Sequence, residues 1–74
     1  MKIGSLVRNR YAVPGPTGGH HVPPGRTGVV IDMHESDYQN HEGDFDIYVD
    51  VVISVDGASV HCNWCNASTF EVIA

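Results

Sequence analysis

The segment from Phe45 to Val55 constrains this chain more than any other. Phe45, Ile47, Val49, Val51, Ile53 and Val55 alternate with Asp46, Tyr48, Asp50, Val52 and Ser54. A period of two puts one set of side chains in a core and the other mostly in water. With so many β-branched residues it predicts a strand of about 10 residues. Asp56-Gly57 follows at once. That pair tolerates the positive backbone dihedrals of a tight hairpin turn, so the chain is expected to return antiparallel over Ala58 to Cys62.

Three further strands are expected. Thr27 to His34 reads as a strand with Val29, Ile31 and Met33 inward and Gly28 allowing a bend or a close approach. Ile3 to Arg8 reads as the first strand, and Phe70 to Ile73 as the last, with Val72 inward. The inward set Val29, Ile31, Ile47, Val49, Val51, Ile53 and Val72 should then form one core. No stretch repeats apolar residues at the three-and-four spacing of an amphipathic helix. Asn66 to Thr69 suits a single 3₁₀ turn, because Asn and Ser side chains bond to nearby backbone.

Two connections stand out. Pro14 to Gly25 is a run of 12 residues with all four prolines and four of the eight glycines, and it is expected to lack regular structure. Loops of this length in a small domain are usually functional or disordered. The wider segment 9–26 is therefore read as a partner-contacting insertion. Its candidate binding residues are Tyr11, Pro14, Pro16, His20, His21, Pro23, Pro24 and Arg26. Prolines reduce the entropy lost on docking, and aromatic, His and Arg side chains supply the anchors interfaces favour. The second connection, Glu35 to Asp44, is acidic and includes Tyr38, Asn40 and His41; it reads as a solvated loop.

With 74 residues the chain has room for one domain, spanning 1–74. Its net charge of -5 is unevenly spread: the four basic residues (Lys2, Arg8, Arg10, Arg26) precede Thr27 and the nine acidic ones follow it. Such segregation suits head-to-tail docking on a protein neighbour, another copy of the chain included. It argues against nucleic acid, since a net acidic chain gains little from counterion release. The opening MKIGSLV is too short an apolar stretch for a signal peptide or membrane span, which predicts a protein made in the cytosol without a membrane partner.

Chemistry-bearing patterns are sparse. Cys62-Asn63-Trp64-Cys65 contains one Cys-x-x-Cys, a zinc half-site or a redox pair in other settings. A structural zinc needs four ligands, and only the scattered His20, His21, His34, His41 and His61 could complete the set. Two small, buried or half-buried thiols are the expectation, with no metal and no cofactor. Trp64 is expected in the core or at its rim. Asp44, Asp46 and Asp50 read as a solvated strand face, and the serines stand in no nucleophile motif, so catalysis is not expected.

Several short motifs carry a family resemblance. Lys2-Ile3-Gly4-Ser5-Leu6-Val7-Arg8 resembles the K-x-G-D-L-V opening of many small phage-encoded barrel proteins, with Ser5 in place of the Asp. Gly25-Arg26-Thr27-Gly28-Val29-Val30-Ile31 resembles their G-x-x-G-x-V second strand. Val49 to Gly57 is similar to their V-x-V-x-W-x-D-G hairpin, with Ile53 or Ser54 where Trp is common, and Phe70-Glu71-Val72-Ile73 to their L-E-V-I ending. The resemblance implies an all-β fold, a single five-stranded SH3-like barrel with a long Pro/Gly-rich first loop. It further implies a non-catalytic structural protein of a bacteriophage virion, assembled in the host cytoplasm. Capsid cement or decoration, head-to-tail and tail components all fit, binding other virion proteins in many copies. The second strand also resembles the KOW motif, which makes an RNA- or transcription-associated accessory domain the alternative, beside a small zinc-stabilised module.

Overall fold

The computed structural model describes residues 1–14, 21–39, 41–43 and 45–74, with the backbone alone for Pro14, His21, Tyr38 and Phe45. Seven strands form: β1 (Leu6–Asn9), β2 (Val13–Pro14), β3 (His21–Val22), β4 (Thr27–Gln39), β5 (Phe45–Val55), β6 (Ala58–Asn66) and β7 (Phe70–Val72). Five make one antiparallel sheet in the order β6-β5-β4-β1-β7, and β2 pairs with β3 in a separate two-stranded ribbon. The fold is all-β, and one 3₁₀ turn (Ala67–Thr69) links β6 to β7.

The central strand follows its alternation. Val49, Val51 and Ile53 are buried, and Ile47 and Val55 pack against them half-buried. Asp56 and Gly57 take positive φ values of 49° and 82°, the tight turn that an Asp-Gly pair makes with little strain. Asn66 caps the 3₁₀ turn, its side chain accepting from the Ser68 backbone N–H. The return strand runs on past Cys62 to Asn66.

β4 departs from the expected pattern. Val29 and Ile31 are 41% and 45% exposed, while Val30 is buried. Gly28 fixes this parity. It faces Ile53 across the ladder, and a Cβ there would lie 2.6 Å from the Val52 carbonyl oxygen, so position 28 is inward and tolerates no side chain. Val30 shares its face. A bulge between Val30 and Asp32 then inserts Ile31 as an extra residue, which lets Met33, three positions on, return to the core side. The apparent 29/31/33 alternation spans that bulge. β4 also continues through Glu35 to Gln39, paired with Ile47 and Phe45, so the first half of the supposed acidic loop is strand.

The termini and the first loop differ too. Lys2 to Ser5 forms a turn, with Gly4 at φ 92° and the Ser5 N–H bonded to the Lys2 carbonyl, and β1 begins only at Leu6. Val72 pairs with Val7 but lies on the edge strand and is 50% exposed; Phe70 is the buried residue of β7. The loop expected to lack regular structure contains the β2–β3 ribbon, with Val13 opposite Val22 and both in the core. Two apolar anchors thus fold part of the insertion back over the sheet. Every strand therefore lends at least one buried side chain to a single core: Val7, Val13, Val22, Val30, Val49, Val51, Ile53, Cys62 and Phe70.

Candidate functional site

The outer face of β4, β5 and β6 gathers the polar and aromatic side chains that the core excludes. Its organiser is a second bulge. Val51 pairs with Cys62 and Val49 with Cys65, so Asn63 and Trp64 together oppose Asp50. The extra residue turns both cysteines toward the core side and pushes Trp64 outward, at φ 54° and 59% exposed. A bulge leaves one amide outside the ladder. Here the Trp64 N–H donates to Asp50 Oδ1 at 2.9 Å.

His34 completes the arrangement from β4. Its Nε2 lies 3.1 Å from Asp50 Oδ2, and its ring stacks on the Trp64 indole with centroids 3.8 Å apart and planes 9° apart. Tyr48 approaches the same indole, tilted by 43° at 6.1 Å. The Trp64 amide, and next to it His34, hold the Asp50 carboxyl below its ordinary value in spite of desolvation. Asp32 sits directly across the ladder from Asp50, an unfavourable placement for like charges. One donor atom each from Asp32, His34 and Asp50 lie within 4.8 Å of one another. Two carboxylates and an imidazole are a donor set that suits a divalent metal ion, and equally a hydrogen-bonding cation.

On the opposite side of the bulge the thiols sit in a different medium. Burial pushes Cys62 up to about 11, and burial likewise raises Cys65. Both therefore stay protonated at neutral pH, the reverse of the depressed thiol that nucleophilic or redox cysteines need. They form no disulfide.

The residues expected to bind a partner are only partly assembled. Pro16 and His20 lie outside the described residues, and Pro14 and His21 are described as backbone in β2 and β3. Tyr11 is 62% exposed, Pro23 and Pro24 are exposed, and Arg26 is half-buried. What joins them is Asn9, which is 1% exposed. Its Nδ2 donates to the Tyr11 and Pro23 carbonyls at 2.9 Å each, and its Oδ1 accepts from the Arg26 N–H at 2.8 Å. The Asn9 backbone adds bonds to Arg26 and Gly25. Arg8 pairs with Glu71 at 2.8 Å, and Arg26 stands 3.9 Å from Asp56. Arg10 makes no ion pair among the described residues.

The outer face was not assembled from the sequence, which treated His34 as isolated and placed Trp64 in the core or at its rim. One signal was present. Val60 and Cys62 keep a period of two that Cys65 breaks, and an odd step between inward residues is how a bulge shows itself. The described residues form no enclosed pocket, so the site is a flat face. Comparison with protein-family models, with curated proteins and with solved structures gives no match.

Proposed function

We propose that this chain is a non-catalytic structural subunit of a bacteriophage particle, a small SH3-like barrel that works by packing against neighbouring virion proteins. The observation that carries the reading is an apolar row on the outside of the sheet. Leu6, 37% exposed, pairs with Val29, 41% exposed, and Val29 pairs with half-buried Val52, so the three lie side by side across β1, β4 and β5. Exposed apolar residues that adjoin one another mark contact surfaces more often than scattered ones do. Ile31, also exposed, extends the patch along β4. The closure of the barrel is supported by the way all seven strands feed one core and by bulges in β4 and β6, which coil a sheet. Tyr11, Pro23 and Pro24, carried on the Asn9-stapled loop, supply a second contact beside the face.

The acidic surroundings of Trp64 do not favour the RNA-associated alternative, since Asp32 and Asp50 repel a phosphate backbone. The test is incorporation. Particles assembled without the protein would be mixed with purified wild type or with Val29→Asp, an exposed change that leaves the core intact. Wild type should enter at fixed stoichiometry and the variant, folded by circular dichroism, should not. Equal incorporation of the two would overturn the apolar row as the contact, and failure of wild type to bind any particle fraction would overturn the virion role.

A further inference from the structure

The outer-face cluster and the basic residues of the same chain are complementary, and no ion pair of a Lys or Arg with the cluster forms among the described residues. Asp32 and Asp50 face each other across the ladder with no Lys or Arg partner among the described residues; their only cation is His34, when it is protonated. Beside them stands Trp64, 59% exposed, held by its amide and stacked on one face by His34. A planar guanidinium answers both features, since it donates to carboxylates in a fork and stacks on aromatic faces.

Arg8 and Arg26 lie at the other end of β4. Arg8 is paired opposite Thr27, and Arg10 follows it, its N–H bonded to the Thr69 carbonyl. Arg8 and Arg26 already face Glu71 and Asp56, whereas Arg10 is exposed and carries no ion pair among the described residues; its neighbour Tyr11 is 62% exposed. From Thr27, the partner of Arg8, to Asp32 the strand rises about 17 Å. We infer that Arg10, with Tyr11, of one copy docks on the Asp32–Asp50–Trp64 face of the next. The ligand class is a guanidinium, the partner is a second copy, and the contact is heterologous, which builds rings or filaments rather than two-fold dimers. This deepens the proposed role in a multi-copy particle and rests on it for its biological setting, but its chemistry belongs to the isolated chain.

The test uses purified full-length protein at about 0.1 M salt, where the Debye length is about 10 Å and the repulsion between net acidic copies is screened while contact pairs persist. Sedimentation velocity over a concentration series should show wild type self-associating. Arg10→Asp, Asp32→Arg and Trp64→Ala should each weaken association at least tenfold while circular dichroism stays native. In an equal mixture of Arg10→Ala, which keeps its acceptor face, and Asp32→Ala, which keeps its donor, one contact survives, so the mixture should form a dimer and nothing larger. A wild type that stays monomeric at millimolar concentration, or a mixture that forms no dimer, overturns the inference. Were such a chain still to enter particles, the virion reading would stand and only the self-docking site would fall. Association that requires added zinc and vanishes with chelator would also overturn it, assigning the Asp32, His34 and Asp50 donors to a metal.

Discussion

Replacing Asn9 by Ala tests whether the long first loop is part of the fold or an appendage. The side chain is 1% exposed and makes three hydrogen bonds of 2.8 to 2.9 Å, all to backbone groups of the segment from Tyr11 to Arg26. Each bond is worth about 1 kcal/mol net, and truncation leaves two carbonyls and one N–H without their partner, so Asn9→Ala should cost about 3 kcal/mol. For a domain of this size that is a large share of total stability and lowers Tm by about 12 to 24 °C. Asn9→Asp sharpens the test. It keeps the acceptor for the Arg26 N–H but sets a carboxylate oxygen against the Tyr11 and Pro23 carbonyls. That raises the folded-state pKa of the new carboxyl above its unfolded value. Its contribution is therefore fully present below the unfolded pKa and lost as pH rises through the folded one. The deficit of Asn9→Asp relative to Asn9→Ala should shrink between pH 7 and pH 4. Urea denaturation of both variants at the two pH values reads this directly. An Asn9→Ala shift below about 0.5 kcal/mol with an unchanged m value would show that the loop is not held by this side chain.

Other outcomes follow from the same structure. Val49→Ala should cost about 2 to 4 kcal/mol by lost burial and a cavity, while Val29→Ala should stay within about 0.5 kcal/mol; similar midpoints for the two in urea would refute the β4 register. Gly28→Ala forces a methyl against the Val52 carbonyl oxygen and a Val51 methyl, at 2.6 and 2.8 Å, and should destabilise by about 1 to 3 kcal/mol in thermal melts. Cys62, pushed up to about 11 from 9.0, contributes stability that is complete below pH 9 and lost as pH rises through about 11. The loss is visible as a midpoint drop between pH 8 and pH 11 that a Cys62→Ala variant shows less of.

Where the physics is local, the sequence was sufficient. The β5 alternation, the Asp56-Gly57 turn and the Asn66-capped 3₁₀ turn each depend on a few adjacent residues, and each is present. Long-range packing decided the rest. Val13 and Val22 flank a run of prolines and glycines, and only their joint burial turns the surrounding loop into a ribbon. Nor could composition show that Glu35 to Gln39 would be carried into the ladder by the strand opposite. Asn9 is a similar case: a polar residue at a strand end is usually solvated, and its burial follows from three backbone partners up to 17 positions away.

The two bulges explain why the candidate face was hidden while most of the core was not. One lies between Val30 and Asp32 in β4 and the other at Asn63 and Trp64 in β6, so both neighbours of β5 are irregular at the level of Asp50. Periodic reading assigns inside and outside correctly only up to such a point, which is why it succeeded on unbroken β5 and inverted Val29 and Ile31. The same irregularities are productive. By releasing an amide that Asp50 captures, the β6 bulge anchors a carboxylate to the backbone of the strand it faces, and by turning Trp64 outward it gives His34 a surface to stack on. The β4 bulge returns Met33 to the core and so keeps Asp32 and His34 outward, beside that carboxylate. A regular ladder with the same residues would put Cys65 on the outer face with Cys62 inward and point Trp64 into the core. The exposed cluster is therefore a product of two one-residue insertions flanking a single aspartate, and Asp50 is the position where fold and surface chemistry are coupled.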